Sequence, residues 1–250
     1  MSGHSKWSTI KRKKGAADAK RGQVFTKLGK EIELAARSGP DPEFNFKLRL
    51  MIDKAKAANM PRDNIERAIR RGAGLEKGAA QLEELVYEGY GPHGVAIVVN
   101  VLTDNRNRSV AEVRKVLTRA GGSLGESGCV SWLFDQKGYM NLPADGKDPD
   151  ELAMLAIDAG AEDVQVGEES VDVYTRPEDL GKVRDAIETQ GIGIDNPELT
   201  MLPKSTIALD EENALKLLNV IETLEELEDV QQVFSNLEMS DELLSKFEEE

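Results

Sequence analysis

The sequence predicts an α+β protein of three domains: an N-terminal helical domain plus two α+β domains of ferredoxin-like type, one inserted in the other. Three observations carry this. A chain of 250 residues, 40% apolar and 31% charged, is long for one core and has apolar side chains enough for two or three. In the first quarter, apolar residues recur at spacings of three and four, the period of a helix buried on one face. Beyond residue 81 the grammar changes to short β-branched runs alternating with helical stretches, and residues 129–202 read β-α-β-β-α-β, the split βαβ order.

The helical domain is predicted over residues 1–74. It opens on an arm with no apolar period, in which Lys11, Arg12, Lys13 and Lys14 repel one another. From about Ala16, Val24, Phe25, Leu28, Ile32 and Ala35 fall on one helical face, ended by Gly39 and Pro40. Asp41 and Pro42 read as the N-cap and first position of a second helix, with Phe44, Leu48, Met51, Ile52 and Ala55 inward. A short third helix follows Pro61, with Ile65, Ala68 and Ile69 inward and Gly72 as its C-cap. Residues 72–81 read as a linker.

The discontinuous α+β domain is predicted over 80–128 and 203–238. It has strands at 82–87 and 95–102, then a helix at 109–120 opened by the capping box Ser109-x-x-Glu112. After the insertion come a strand at 205–209, a helix with Leu217, Leu218, Ile221 and Leu224 inward, and a strand at 230–234. In the inserted domain, 129–202, Cys129 to Leu142 reads as a hairpin turning at Gln136, Lys137 and Gly138. Helices at 149–159 (Leu152, Leu155 and Ala156 inward) and 177–190, and strands at 164–167, 171–175 and near 192–202, complete it. Residues 239–250 read as a solvated acidic tail.

Charge is the strongest functional signal. The net charge is -14, yet residues 1–74 hold 18 Lys and Arg against 8 Asp and Glu, and the remainder 14 against 38. Such asymmetry marks a polyanion-binding part joined to a repelling one. Lys6, Lys11, Arg12, Lys13, Lys14, Lys20 and Arg21 are candidates to neutralise phosphates. Trp7, lying among them, either stacks on an unpaired base or pins the arm. A second candidate is the 103–109 stretch, where Arg106 and Arg108 stand at a helix start whose free N–H groups favour anions.

Several classes are disfavoured. No apolar run approaches the roughly 20 residues of a spanning helix, and no secretory start is present, so no membrane partner is expected. The single cysteine, Cys129, suits a reducing compartment and a cytoplasmic location. His4, His93 and Cys129 lack ligand spacing, so no metal site is expected. Gly89, Gly91 and Gly94 satisfy G-x-G-x-x-G, but the following residues are β-branched, so this is a strand–strand connection rather than a nucleotide loop. No cofactor and no catalytic residues are expected; the chain reads as a non-enzyme.

Several separated blocks then form a resemblance: Gly3 to Trp7 (GHSKW), Asn59 to Ile65 (NMPRDNI), Tyr87 to Pro92 (YEGYGP), Thr103 to Arg108 (TDNRNR) and Ala120 to Gly122 (AGG). In that order they resemble the YebC family, which includes the mitochondrial translational activator of cytochrome c oxidase. The resemblance runs from residue 2 to about Glu238. It implies the three-domain fold and a regulator of gene expression that binds nucleic acid. Family members are labelled probable DNA-binding transcriptional regulators and also described as ribosome-associated translation factors for proline-rich stretches. The implied partners are DNA, or rRNA and tRNA on the ribosome, with basic ribosomal proteins as a further possibility. His93 stands where the family pattern has Gly, and Cys129 where it has Ser. No transit-type segment precedes Gly3, which fits a bacterial-type cytoplasmic form. No helix-turn-helix recognition helix declares itself, since the third helix is short and its polar face is mostly Arg, Asp and Glu, and this favours the ribosome. An RNA- or nucleotide-processing enzyme and an acidic protein-assembly module remain as rival readings.

Overall fold

The computed structural model describes residues 18–76, 81–240, 243, 246 and 247, with side chains from residue 21 onward. Three helices form the N-terminal domain: α1 (Asp18–Ala36), α2 (Phe46–Ala57) and α3 (Arg62–Gly72). Ile32, Ala35, Leu48, Ile52, Ala55, Ile65 and Ala68 close its core, with Phe25, Leu28 and Ile69 packed against it. Val24 is 43% exposed and leaves the predicted face.

The start of α2 differs from the sequence expectation. Asp41 does not cap it; its Oδ1 accepts from Glu43 N at 2.9 Å in a local turn, and Phe44 is 89% exposed. The cap is Asn45, whose Oδ1 accepts from Leu48 N at 3.0 Å. Its Nδ2 donates to Ala35 O at 2.8 Å and Gly39 O at 2.7 Å. One buried amide thus serves the start of α2 and two carbonyls, one in the last turn of α1 and one just beyond it, which Asp41 cannot do because a carboxylate has no donor. Gly72 is the last residue of α3 rather than its cap. A Cβ there would overlap Glu33 O and approach Ala36 Cβ to 2.8 Å, so this glycine lets α3 close onto α1.

The chain continues β1 (Glu83–Tyr90), β2 (Ala96–Thr103), α4 (Arg106–Arg119) and β3 (Ser123–Leu124). The insertion follows: β4 (Phe134–Pro143), α5 (Pro149–Asp158), β5 (Asp163–Val166), β6 (Ser170–Thr175), α6 (Leu180–Thr189) and β7 (Asp195–Pro203). The chain then returns with α7 (Glu211–Glu225) and β8 (Val230–Ser235). The discontinuous domain's sheet has the order β3-β1-β2-β8, and the inserted domain's has β5-β6-β4-β7. All strand pairs in both are antiparallel.

In the discontinuous domain, β1 and β2 pair from Glu83↔Thr103 to Tyr90↔Ala96. Gly91 N donates to Val95 O at 2.8 Å across their turn, so the glycine triplet is the strand–strand connection the sequence implied. His93 takes φ 60° there, a left-handed conformation that glycine reaches without penalty. Val95, Ile97, Val99 and Val101 face Val113 and Leu117 of α4 and Leu217, Leu218, Ile221 and Leu224 of α7. Met239, Leu243 and Phe247 are buried in the same core, so the tail is not simply solvated: its acids alternate with an apolar stripe that packs. Residues 205–209 form no strand; only an isolated parallel bridge joins Ile207 to Leu237.

In the inserted domain, the expected hairpin at Cys129–Leu142 is instead a short 3-10 turn at Ser131–Leu133 followed by a single strand. β4 runs unbroken through Gly138, pairing with β6 on one side and with β7, from Phe134↔Pro203, on the other. Gly138 is present for room: a Cβ would overlap Thr175 Oγ1 and crowd Leu180 Cβ at 2.9 Å. The turn chemistry lies earlier, where buried Glu88 accepts from the backbone N–H groups of Gly128 (2.7 Å), Val130 (2.9 Å) and Ser131 (2.7 Å). Burial raises the Glu88 pKa, but these bonds, with one from the Ser131 side chain, outweigh it and hold the carboxyl below its usual range. Among the described residues no helix is long and apolar enough to cross a membrane.

Two glycine substitutions separate helix propensity from helix packing. Gly22 in α1 has open space around its Cβ position, so Gly22→Ala should stabilise the protein by about 0.5–1 kcal/mol. Gly72→Ala should cost about 1–3 kcal/mol through overpacking. Urea unfolding of both variants checks this; equal effects would overturn the assigned α1–α3 contact.

Candidate nucleic-acid interface

Lys6, Trp7, Lys11, Arg12, Lys13 and Lys14 lie outside the described residues. Lys20 falls within α1, and Arg21, one residue on, is exposed. Further cations follow on the helical domain. Those of α3 are largely committed: Arg62 pairs with Glu66 at 2.7 Å, and Arg70 and Arg71 pair with Glu76 at 3.4 and 3.3 Å. Lys47 on α2 and Arg67 on α3 are exposed and have no ion-pair partner among the described residues.

The second basic element is α4. It carries Arg106, Arg108, Arg114, Lys115 and Arg119 against one acid, Glu112. Whole-segment counting hid this, because the helix lies inside a strongly acidic stretch. Its cap is Asn105, whose side chain accepts from Arg108 N at 3.1 Å. Ser109 is not the predicted cap: it sits one turn inside, 1% exposed, with its hydroxyl 3.0 Å from Asn105 O and 2.9 Å from Asp229 Oδ2. The true cap lies four residues earlier because Thr103 Oγ1 accepts from Asn105 N at 2.9 Å and turns the chain there.

Arg106 and Arg108 have different environments. Arg106, the first residue of α4, is exposed and has no ion-pair partner among the described residues; its carbonyl accepts from Tyr87 Oη at 3.3 Å. Arg108 is also exposed but is paired. Its Nη2 lies 2.8 Å from Asp229 Oδ2 and 2.9 Å from Asp104 Oδ1, and its Nε lies 3.1 Å from Asp229 Oδ2. The hydrogen bond to Asp229 raises its pKa further above the ordinary arginine value. Its guanidinium is already held by two carboxylates, whereas that of Arg106 is exposed to solvent.

Asp229, 1% exposed, gathers four side chains from three elements. Lys30 of α1 reaches it at 2.8 Å, Thr103 Oγ1 at the end of β2 at 2.9 Å, and Arg108 and Ser109 from α4. Its own carbonyl accepts from Leu102 N at 2.8 Å. Beside it, Lys27 donates to Glu225 O. Burial alone raises the Asp229 pKa; the hydrogen bonds from Lys30, Arg108, Ser109 and Thr103 outweigh it and hold the carboxyl at about 2. The cluster ties α1 to the first turn of α4 and so brings the two basic elements together. Sequence reasoning missed Lys30, Thr103 and Asp229. Asp229 follows Glu225, Glu226 and Glu228 and has the look of one more solvated acid; only its place just before β8 sets it apart.

A basic helical domain followed by two α+β domains, one inserted in the other, defines a three-domain architecture. The chain belongs to the TACO1/YebC family: the model of the family's N-terminal domain matches residues 5–75, and that of its second and third domains matches residues 82–237. A probable transcriptional regulatory protein of Dehalococcoides mccartyi is 53% identical over 248 residues, 99% of this chain and 98% of its own. One of the same description from Herpetosiphon aurantiacus is 52% identical over the whole of both chains. The crystal structure of a conserved hypothetical protein from Aquifex aeolicus superposes with a TM-score of 0.82 at 52% identity, covering 90% of this chain and 93% of that one.

The Asp229 cluster gives a signed pH dependence. The folded pKa, about 2, lies below the ordinary 3.8, so the unfolded chain takes up the proton first. The stabilisation is complete above about pH 5 and lost as pH falls towards 2. That shift is worth about 2 kcal/mol. Asp229→Asn should destabilise the protein by about 2–4 kcal/mol at pH 7, since Lys30 and Arg108 lose their shared anion. The difference in stability between wild type and variant should shrink on acidification; a constant difference from pH 7 to pH 3 would contradict the cluster.

Proposed function

We propose that this protein is a non-enzymatic regulator of gene expression that grips nucleic acid through phosphate contacts, with the ribosome as its working partner. The single observation that carries the reading is the joining of two basic elements, α1 and α4, at Asp229 in a chain that is otherwise strongly acidic. Lys47, Arg67, Arg106, Arg114, Lys115 and Arg119 have no ion-pair partner among the described residues, leaving them available to phosphates. Lys6, Lys11, Arg12, Lys13, Lys14, Lys20 and Arg21 extend the same grip, and Trp7 pins the arm or stacks on a base.

Phosphate contacts give affinity and register without sequence information. Base reading needs a helix or ribbon with side chains directed at base edges in a groove. α3, the shortest of the three N-terminal helices, spends Arg62, Arg70 and Arg71 on Glu66 and Glu76. That favours recognition by shape and charge, the mode that suits folded RNA. A second reading, sequence-selective DNA binding, is favoured by the description of the relatives as probable transcriptional regulatory proteins.

Replacing Lys11, Arg12, Lys13 and Lys14 together by Ala should lower affinity for DNA or RNA. It should flatten the slope of log K against log salt by about 3–4 units if all four meet duplex phosphates. Co-sedimentation with ribosomes should be lost on removal of residues 1–74. One DNA sequence outcompeting random duplex by about a thousandfold would replace the ribosome reading with the transcriptional one.

The two arginines of α4 should separate. Arg106→Ala should weaken binding and leave the urea midpoint unchanged, whereas Arg108→Ala should lower stability by about 1–3 kcal/mol through the exposed need of Asp229 for a partner. The reverse pattern in paired binding and unfolding measurements would sink the division of roles.

A further inference from the structure

The inserted domain carries an apolar groove that its own fold does not use. α5 packs Leu152, Ala153 and Ala156 inward. Yet Met154 and Ile157, on its outer side, are 68% and 54% exposed. A helix face that only meets water carries Lys, Glu or Gln at such positions. Met154 and Leu155 together with Ala186 of α6 line a groove of about 690 Å³, closed by Glu151, Asp158 and Gln190.

The charged residues that line this groove, Glu151 and Asp158, are both acidic. α5 holds Asp150, Glu151 and Asp158 and no Lys or Arg. On α6, Arg184 is buried and is held by Asp185 at 3.1 Å and Glu188 at 3.6 Å. Lys182, one turn before Ala186, lies outside the lining and is the one cation on that stripe. Residues 134–204 as a whole carry 6 Lys and Arg against 17 Asp and Glu. Glu151 and Asp158 stand seven residues apart, about 10 Å along the helix, one on each side of Met154.

We propose that the α5–α6 groove is a docking site for a basic protein segment that binds as an amphipathic helix. Apolar side chains spaced i, i+3 or i+4 on the partner seat against Met154, Leu155 and Ala186, the helix-in-groove mode. Methionine suits this because its unbranched side chain adapts to varied apolar shapes. Lys or Arg residues flanking the partner's stripe meet Glu151 and Asp158, which set orientation and speed encounter. The site shares no residue with the basic elements of α1 and α4, so one chain holds a polyanion through one set of residues and a basic protein through another.

The test uses the full-length chain and a fluorescein-labelled peptide of about 18 residues, long enough to form a helix. It carries Leu at i, i+3, i+4 and i+7, and Lys elsewhere. Two control peptides are a scramble of the same composition and a version with Glu in place of Lys. The amphipathic basic peptide should bind, and the scramble should bind at least about tenfold more weakly. Met154→Lys with Ile157→Lys should weaken binding at least about tenfold with the unfolding midpoint unchanged, since both side chains are exposed. Glu151→Lys with Asp158→Lys should transfer preference to the acidic peptide. Equal binding of the scramble would reduce the effect to long-range charge and overturn the proposal. So would a dimer seen by light scattering that the Met154→Lys, Ile157→Lys variant abolishes while no peptide binds, which would assign the face to a second copy of this chain.

Discussion

The buried carboxylate of Asp229 is the interaction on which the arrangement of α1, α4 and β8 rests. It lies where the end of β2, the first turn of α4 and the turn before β8 converge, and Lys30 enters from the helical domain. Taking the Asp229 carboxylate and most of Lys30 out of water is costly unless the carboxylate's lone pairs are used, and Arg108, whose side chain stays 41% exposed, supplies the second cation. Here two hydroxyls complete the set. The cost of losing any member is therefore larger than the worth of a surface ion pair, for which the usual value is below about 1 kcal/mol. Surface pairs such as Arg62–Glu66 and Lys216–Glu212 belong to that weaker kind.

The same cluster sorts the arginines of α4. Position along the helix decides the role: Arg106 starts it and faces outward, and Arg108 lies two residues on, turned towards Asp229. Two arginines separated by one residue share composition, local motif and charge, yet one is tied to two carboxylates and the other is exposed.

Periodicity made the helical cores and most strands legible. Ile32, Leu48, Ile52 and Ile65 are inward as their spacing required, and the β-α-β-β-α-β order of the insertion needs only alternation and turn residues to be read. What failed were local signals with two physical solutions. Asp41 and Pro42 fit a helix start and equally a turn, and Asn45 took the cap because its amide also serves the end of α1. Gly138 in a polar run suggests a turn, but the reason for its lack of a side chain lies in Thr175 and Leu180, far along the chain. Ser109 and Glu112 spell a capping box, yet Asp229 drew Ser109 into the interior. The candidate site was legible as charge and not as geometry: the excess of Lys and Arg in residues 1–74 is plain, whereas the basic α4 is submerged in an acidic average. No local pattern marks Asp229, since its partners lie 120 or more residues away.

The late position of β8 sets an order on how the molecule is made. β2, a run of Ala96, Ile97, Val98 and Val99 continuing through Val101, pairs on one side with β1, an immediate neighbour, and on the other with β8. About 130 residues separate the two partners of that second edge, which at ordinary translation rates is roughly 7 to 26 s of synthesis. Throughout that interval the valine-rich strand has an open hydrogen-bonding edge, the feature that templates aggregation. The inserted domain is contiguous and can close meanwhile, with its first strand already paired to its last. Lys30 and Arg108 wait as long as the strand does, since Asp229 is synthesised one residue before β8. The final segment of the chain thus supplies the missing strand, the neutralising charge and, through Met239, Leu243 and Phe247, the last wall of the core. A nascent chain arrested short of it lacks all three.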